Sequence, residues 1–176
     1  AGFTHWAKLN NLKQAAKTMN FLTEHGISSY GELESKLTAI SARRDTAHAE
    51  IKRIESRSAE LALVMKHAGT YRQLKPLYER YRKSNDKEKF LRGHESEIIL
   101  FEAAARELKR LGAVPLPTTE SMKTELANLN AEKERLLAEY KTARTEAQEY
   151  DTVKQNVDAL LTVPKEQEQQ RRHELE

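Results

Sequence analysis

The fold of this chain is decided by residues 33–68, which read LESKLTAISARRDTAHAEIKRIESRSAELALVMKHA. Hydrophobic side chains recur there at alternating steps of three and four residues, with Arg44 and Ser58 as polar exceptions. A period of 3.5 residues held over five heptads keeps one narrow stripe facing a partner helix, which is typical of a coiled-coil seam. The seam residues are Leu33, Leu37, Ile40, Ala47, Ile51, Ile54, Leu61, Met65 and Ala68.

A second seam with the same spacing follows between residues 122 and 161, interrupted only by Lys133 and Lys154. A lysine at a seam position must extend its stem along the groove and bring its ammonium group to water. The apolar and aromatic residues of this seam are Met122, Leu126, Leu129, Leu136, Tyr140, Ala143, Ala147, Tyr150, Val157 and Leu161.

Two seams of matching length fold most simply as an antiparallel coiled-coil hairpin within one chain, with the intervening residues at its tip. One register matches the side-chain volumes, because it sets Ala47 opposite Ala147 and Ile54 opposite Tyr140. The same register brings the Arg44 guanidinium onto the ring of Tyr150. The alternative is a parallel homodimer of each helix, with the intervening segment outside the paired helices.

The composition favours long solvated helices over a thick core. Charged residues make up 32% of the chain, and it has only 6 glycines and 4 prolines to form turns.

Cysteine is absent, which excludes disulfides and thiolate chemistry and favours a cytoplasmic location. No apolar run is long enough to cross a bilayer, so we expect no membrane insertion. Because the chain begins with Ala1 inside an apparent helix, we take it for a fragment of a larger protein.

Turn and cap residues divide the all-α chain into five parts. Gly26 ends the first helix, and Ser29 with Glu32 has the spacing of a capping box for the second. We expect a break or kink between Gly69 and Pro76, and Pro164 should stop the second seam, with the residues after it forming a solvated helix end or remaining disordered. The parts are an N-terminal helix (1–28), a first coiled-coil helix (29–69), a helical tip domain (70–117), a second coiled-coil helix (118–163) and a polar tail (164–176).

Positive charge is concentrated in residues 70–93, the basic segment, which has eight basic and three acidic residues. Its basic residues are Arg72, Lys75, Arg80, Arg82, Lys83, Lys87, Lys89 and Arg92. Tyrosines and Phe90 are interleaved with them, a mixture that can stack bases and neutralise phosphates. The alternatives are that the aromatic residues form the core of the tip domain beneath a solvated basic face, or that this face meets an acidic protein.

The residues of the chain form no recognisable catalytic or metal-binding motif. The six histidines are scattered, and no pair has the spacing of a zinc-binding helix. The closest local group is His94 with Glu95 and Glu97, for which a helix N-terminus with His94 at the junction is the simplest interpretation. We therefore expect no cofactor, no metal and no enzymatic activity from this part of the protein.

Several stretches resemble the C-terminal region of relaxases, the mobilisation nucleases of conjugative and mobilisable elements of Firmicutes. They are WAKLNNLKQ (6–14), FLTEHG (21–26), TYRQLKP (70–76) and KEKFLR (87–92), which is followed by His94 and Glu95. In that family a separate N-terminal domain nicks DNA with a tyrosine and a histidine-bound metal, and this chain lacks the His-x-His motif. The resemblance therefore implies a non-catalytic arm that holds relaxosome or secretion-channel proteins, or an auxiliary DNA-binding module, with homodimerisation left open.

Overall fold

A computed structural model describes the backbone of residues 2–173 and the side chains of residues 10–162. The described residues form four α-helices and no strand: α1 (Gly2–Glu24), α2 (Tyr30–Lys83), α3 (Lys87–Arg110) and α4 (Thr119–His173). Within this part of the chain, α2 packs against α4 and α3. The predicted all-α fold with an antiparallel helix pair is therefore confirmed.

The chain divides into two compact units. Unit 1 contains Ala1–His48 and Leu137–Glu176, and unit 2 contains Ala49–Leu136. Unit 1 thus holds α1 with the first part of α2 and the last part of α4, whereas unit 2 holds α3 with the remaining parts of the two long helices.

The helices begin at the polar residues that the sequence indicates. The Ser29 hydroxyl accepts the Glu32 N–H at 3.2 Å, which confirms the cap at Ser29, and the Glu32 carboxylate accepts the Ser28 N–H at 2.7 Å, one residue before the N–H that a standard capping box uses. The same hydrogen bond from Ser28 holds the pKa of Glu32 below its ordinary value. Asp86 caps α3 and Thr118 caps α4 by accepting N–H groups three residues further on.

Two helices end at a glycine in the left-handed region, Gly26 with φ 60° and Gly112 with φ 68°. A side chain at either position would strain the backbone, which explains the residue type. In both cases the N–H of the next residue reaches back to close the last turn: Ile27 to the Leu22 carbonyl (2.8 Å) and Ala113 to the Leu108 carbonyl (2.9 Å).

Of the expected break or kink between Gly69 and Pro76, the break is wrong, because α2 continues through both residues to Lys83. A glycine and a proline together cost a helix about 4 kcal/mol relative to alanine. Packing of the following helical turns on α3, through contacts such as Tyr78 on Phe101, opposes that cost. Pro76 has no N–H to donate to the carbonyl four residues before it. Pro76 is exposed at this position of the helix, so water can hydrogen-bond to that carbonyl instead.

The backbone after Pro164 continues as a helix end, since α4 extends to His173 and so beyond the bound of about residue 163 expected for the second coiled-coil helix. The carbonyl that Pro164 deprives of a partner belongs to Leu160, whose side chain is 46% exposed. Hydration can therefore replace the lost helical hydrogen bond. The side chains of the polar tail lie outside the described residues.

The core of unit 1 lies where α1, α2 and α4 meet. In this unit α2 and α4 run antiparallel, because Glu34 pairs with Lys154 (3.8 Å) and His48 stacks on Tyr140 (5.5 Å between ring centroids). The buried residues of the cluster are Ile27, Leu33, Tyr150 and Val153, with Phe21, Leu22, Leu37, Ile40 and Val157 packed against them.

Unit 2 has its own apolar cluster, to which α2, α3 and α4 all contribute. The two long helices again run antiparallel, with Glu55 paired to Lys133 (2.8 Å) and Arg57 paired to Glu125 (2.7 Å). The buried residues are Leu61, Val64, Ala68, Leu108, Ala113 and Met122.

The pairing register differs from the predicted one by six positions. His48, and not Ile54, lies against Tyr140, and in unit 2 Lys133 meets Glu55, six residues before the Leu61 that the predicted register requires. A shift close to one heptad keeps apolar residues facing each other. Matching of side-chain volumes alone therefore could not select between the predicted register and the observed one. The expected Arg44 contact with Tyr150 is wrong as well: Tyr150 meets the edge of Phe21 at 5.0 Å, and Arg44 pairs with Asp45.

Both seam lysines behave as predicted. Their side chains are one quarter to one third exposed, and each ammonium reaches a carboxylate of the neighbouring helix, Glu55 for Lys133 and Glu34 for Lys154. The Tyr30 hydroxyl, followed by the Asp158 carboxylate, raises the pKa of Lys154 above its ordinary value. These two positions therefore combine stem packing with solvated ion pairs.

Candidate partner or nucleic-acid interface

The eight basic residues of the basic segment lie on two consecutive elements of unit 2. Five occupy about the last three turns of α2, and three occupy the start of α3. A tight turn joins the helices, in which the Ser84 hydroxyl accepts the Asp86 N–H at 3.2 Å. All eight residues are exposed. The segment therefore presents its positive charge from two helices joined by a fixed turn.

Arg72 differs from the other seven because its guanidinium already has partners. It donates to the Thr119 hydroxyl at 2.8 Å and to the Pro117 carbonyl. These bonds join α2 to the first residue of α4 and to the loop that precedes it. Arg72 thus stabilises unit 2, and each of its two terminal nitrogens donates one hydrogen bond within the unit.

The remaining seven cations form no ion pair among the side chains that the structure describes. Elsewhere on the same unit, Arg53, Arg57, Arg110 and Arg135 each pair with a glutamate at 3.2 Å or less. Positive charge that no nearby carboxylate neutralises attracts anionic partners. This contrast distinguishes the basic segment from the other charged surfaces of the unit. The seven residues are Lys75, Arg80, Arg82, Lys83, Lys87, Lys89 and Arg92.

One carboxylate interrupts this surface. Glu79 is exposed on α2, four residues from both Lys75 and Lys83, and helical spacing places it on the same face as these lysines. It forms no ion pair among the described residues. The surface therefore has mixed charge with a positive excess, and its field is weaker at Glu79 than the count of cations suggests.

The aromatic residues of the segment contact one another and α3, and two of them, Tyr71 and Tyr78, stack on Phe101. They are half-buried, and the contacts run from Tyr71 through Phe101, Tyr78, Tyr81 and Phe90 to His94, with centroid separations of 4.8, 4.2, 5.9, 6.1 and 4.8 Å. The interpretation that the aromatic residues form the core beneath a solvated basic face agrees with these contacts. Few open ring faces remain for a ligand.

Tyr78 has the most perturbed phenol of this stack. Burial, and then the neighbouring Glu102 carboxylate, raise its pKa above the ordinary value. Its hydroxyl donates a long hydrogen bond of 3.4 Å to that carboxylate. The ring of Tyr78 packs on Phe101 and lies against Tyr81.

His94 marks a break within α3, as the sequence predicted. Its backbone leaves the helical region (φ −141°, ψ 24°), so Lys87–Arg110 consists of two helical pieces. The Nδ1 atom is buried without a hydrogen-bond partner, although Glu97 Oε1 lies at an ion-pair distance of 3.5 Å. The pKa of Glu97 is lowered by its own N–H and then by His94, as expected for a carboxylate in the first turn of a helix.

The other surfaces of unit 2 are less suited than the basic segment to binding a charged partner. A groove of about 830 Å³ runs beside α4, but its Glu50, Glu125 and Glu132 already pair with arginines. Among the residues with described side chains, no group of three acidic or histidine residues could hold a metal ion. No helix in the described part of the chain is long and apolar enough to span a membrane.

Comparison with known proteins returned no match from protein-family models, curated proteins or solved structures. Any functional assignment therefore depends on the basic segment and on the resemblance of several stretches of the chain to the C-terminal region of relaxases.

Proposed function

We propose that this chain is the non-catalytic C-terminal module of a DNA-transfer relaxase and acts as a cytoplasmic protein-interaction arm. Its partners would be relaxosome or secretion-channel proteins, which the basic segment would contact. The observation that carries this proposal is the set of seven exposed cations without ion pairs on two consecutive helices of unit 2.

The mixed charge of the surface favours a protein partner. Glu79 lies between Lys75 and Lys83, and Glu88 lies between Lys87 and Lys89 in sequence. A folded protein with an acidic patch can place its own cations opposite these two carboxylates, whereas a row of phosphates is repelled by both. Complementary charges of this kind provide partner selectivity and speed association.

A photo-crosslinking amino acid tests this proposal in the full-length protein within transfer-competent cells. One variant carries it at Lys83 in the basic segment, and the matched control carries it at Lys66, another exposed lysine of α2. We expect a protease-sensitive adduct from position 83 and none from position 66. Equal labelling from both positions, or none from position 83, would contradict the proposal.

The second candidate is an auxiliary DNA-binding module that uses the same seven cations. The specific observation in its favour is that no internal carboxylate neutralises them, because phosphate binding requires cations that are free to replace counterions. A nuclease-sensitive adduct from position 83 in the same crosslinking experiment would favour this function over the first.

A further inference from the structure

The inner face of α1 attaches this helix to α4 in unit 1. The Gln14 amide donates to the Asn156 side chain at 2.9 Å, and Asn156 donates to the buried Thr18 hydroxyl at 3.2 Å. The Phe21 ring meets the edge of Tyr150 at 5.0 Å. The three α1 residues follow one another at steps of four and three, so they lie on one side of the helix. This side of α1 is therefore already covered within the chain.

A second stripe, the outer seam, runs along the opposite side of α1. It consists of Leu12, Ala16, Met19 and Thr23, at steps of four, three and four residues. All four residues are exposed, Leu12 by 68% and Met19 by 58%. Their spacing is that of a coiled-coil seam, so the stripe stays in line along the helix. The outer seam thus has the geometry to pack on another helix along its whole length.

Seam residues at the centres of the two long helices are covered, by contrast. Ala47 and Ile54 of α2 are 3% and 4% exposed, and Ala147 of α4 is 4% exposed. Apolar side chains gain free energy when a packed neighbour removes them from water. Because Leu12 and Met19 also lie at heptad positions of a regular helix, the outer seam favours a helical partner from outside the chain.

The order of residues in the outer seam fits a second copy of α1 running antiparallel. A pair related by a two-fold axis makes each contact between two positions twice. With this axis level with residues 17 and 18, Leu12 lies opposite Thr23 of the second copy, and Ala16 lies opposite Met19. A larger side chain then faces a smaller one in each of the four layers, which allows the layers to interdigitate at an even helix separation.

The residues that flank the outer seam select this register. Lys13 and Asn20 lie on the same flank, each one position after a seam residue. In the antiparallel pair Lys13 of one copy lies beside Asn20 of the other, so its ammonium meets an amide and no like charge. A shift by one heptad would bring Lys13 beside its own counterpart, where the two charges would repel.

We infer that two copies of the chain associate through their outer seams, with the α1 helices antiparallel about this axis. The inference is independent of the proposed function, because α1 belongs to unit 1 and the basic segment to unit 2. Four layers bury less surface than the roughly 1,600 Å² of a standard stable interface. The association is therefore weak and reversible, with a dissociation constant in the micromolar range.

Sedimentation velocity with the whole chain, over a wide range of protein concentration, tests the association. We expect monomer at the lowest concentrations and dimer as the concentration rises. Leu12→Lys/Met19→Lys should weaken dimerisation about tenfold or more, because two ammonium groups would lose water at the interface. The matched control, Ile99→Lys/Leu100→Lys, changes two similarly exposed residues of α3 (54% and 55%) and should dimerise like the wild type.

Cysteine crosslinking tests the orientation of the pair, since the chain itself contains no cysteine. Protein with Leu12→Cys is mixed with protein carrying Thr23→Cys and oxidised. These positions face each other in the antiparallel pair and should form a mixed disulfide. Like positions lie about 16 Å apart along the helix axis, too far for a disulfide. Disulfides between like positions would indicate a parallel pair and overturn the arrangement.

The remaining outcomes decide between a second copy and other partners. Circular dichroism on every variant ensures that only folded protein is compared. Equal weakening in the two lysine variants would show that exposed apolar residues in general drive association, which would overturn the outer seam as the interface. A wild-type chain that stays monomeric at all concentrations would overturn the inference and leave the outer seam to a different protein.

Discussion

Lys133 on α4 and Glu55 on α2 form an ion pair of 2.8 Å across the antiparallel helices of unit 2. This contact fixes the register of the helix pair, because the predicted alignment would have placed Lys133 against Leu61. A carbodiimide, which joins only amines and carboxylates in direct contact, should link these two residues within one chain. Peptide mass spectrometry on a mixture of isotope-labelled and unlabelled protein distinguishes this link from one between chains, which would contradict the intramolecular hairpin.

The same lysine provides a stability prediction. Lys133→Leu should raise the free energy of unfolding by about 1 kcal/mol, since leucine buries additional apolar surface and an exposed ion pair contributes little. Thermal unfolding followed by circular dichroism measures the effect, and Lys123→Leu on the exposed face of α4 is the control. A lower melting temperature with an unchanged oligomeric state would count against the seam position of Lys133.

Arg72 should contribute to the stability of unit 2. Arg72→Gln removes the bonds to the Thr119 hydroxyl and the Pro117 carbonyl and should lower the free energy of unfolding by about 1 kcal/mol. Lys75→Gln, three residues away, removes the same charge but no such bond and should leave stability unchanged. Equal melting temperatures for the two variants would show that Arg72 is not an anchor.

Asp158 should make the stability of unit 1 depend on pH. Its carboxylate accepts a hydrogen bond of 2.6 Å from the Tyr30 hydroxyl and one of 3.3 Å from Lys154, and these partners lower its pKa. A lowered pKa in the folded state stabilises the protein above the ordinary pKa of aspartate, and this contribution is lost as the pH falls through the lowered value.

The variant Asp158→Asn should therefore melt below the wild type at pH 7, and the difference in melting temperature should narrow below about pH 4. Asp151→Asn serves as the control because the partner of Asp151 is the neutral Gln155. A gap that is independent of pH would show that the effect comes from shape or packing and not from ionisation.

The sequence predicted the features that depend on local chemistry. The cap at Ser29, the glycine at the end of α1 and the junction at His94 are where short-range patterns put them. The heptads also revealed the paired helices. Each of these features requires residues within one or two helical turns, so the order of residue types is sufficient to predict it.

Features that depend on distant partners were not accessible in this way. Continuation of α2 through Pro76 reflects packing on α3, and the anchoring of Arg72 depends on partners more than forty residues away. The register was missed because a shift of about one heptad keeps apolar residues facing each other. Its consequence is visible at Leu161, which is 57% exposed, because α4 extends past the start of α2 at Tyr30.

DNA transfer by the full-length protein is the most direct test of the proposed interaction arm. The measurement compares transfer frequency with nicking of origin DNA by the purified protein, for Lys75→Glu/Lys89→Glu/Arg92→Glu and for the control Lys52→Glu/Lys66→Glu/Lys123→Glu. We predict that the first variant nicks normally but loses transfer, while the control keeps both. Normal transfer by the first variant, or loss of nicking in step with transfer, would contradict a non-catalytic arm that works through its basic segment.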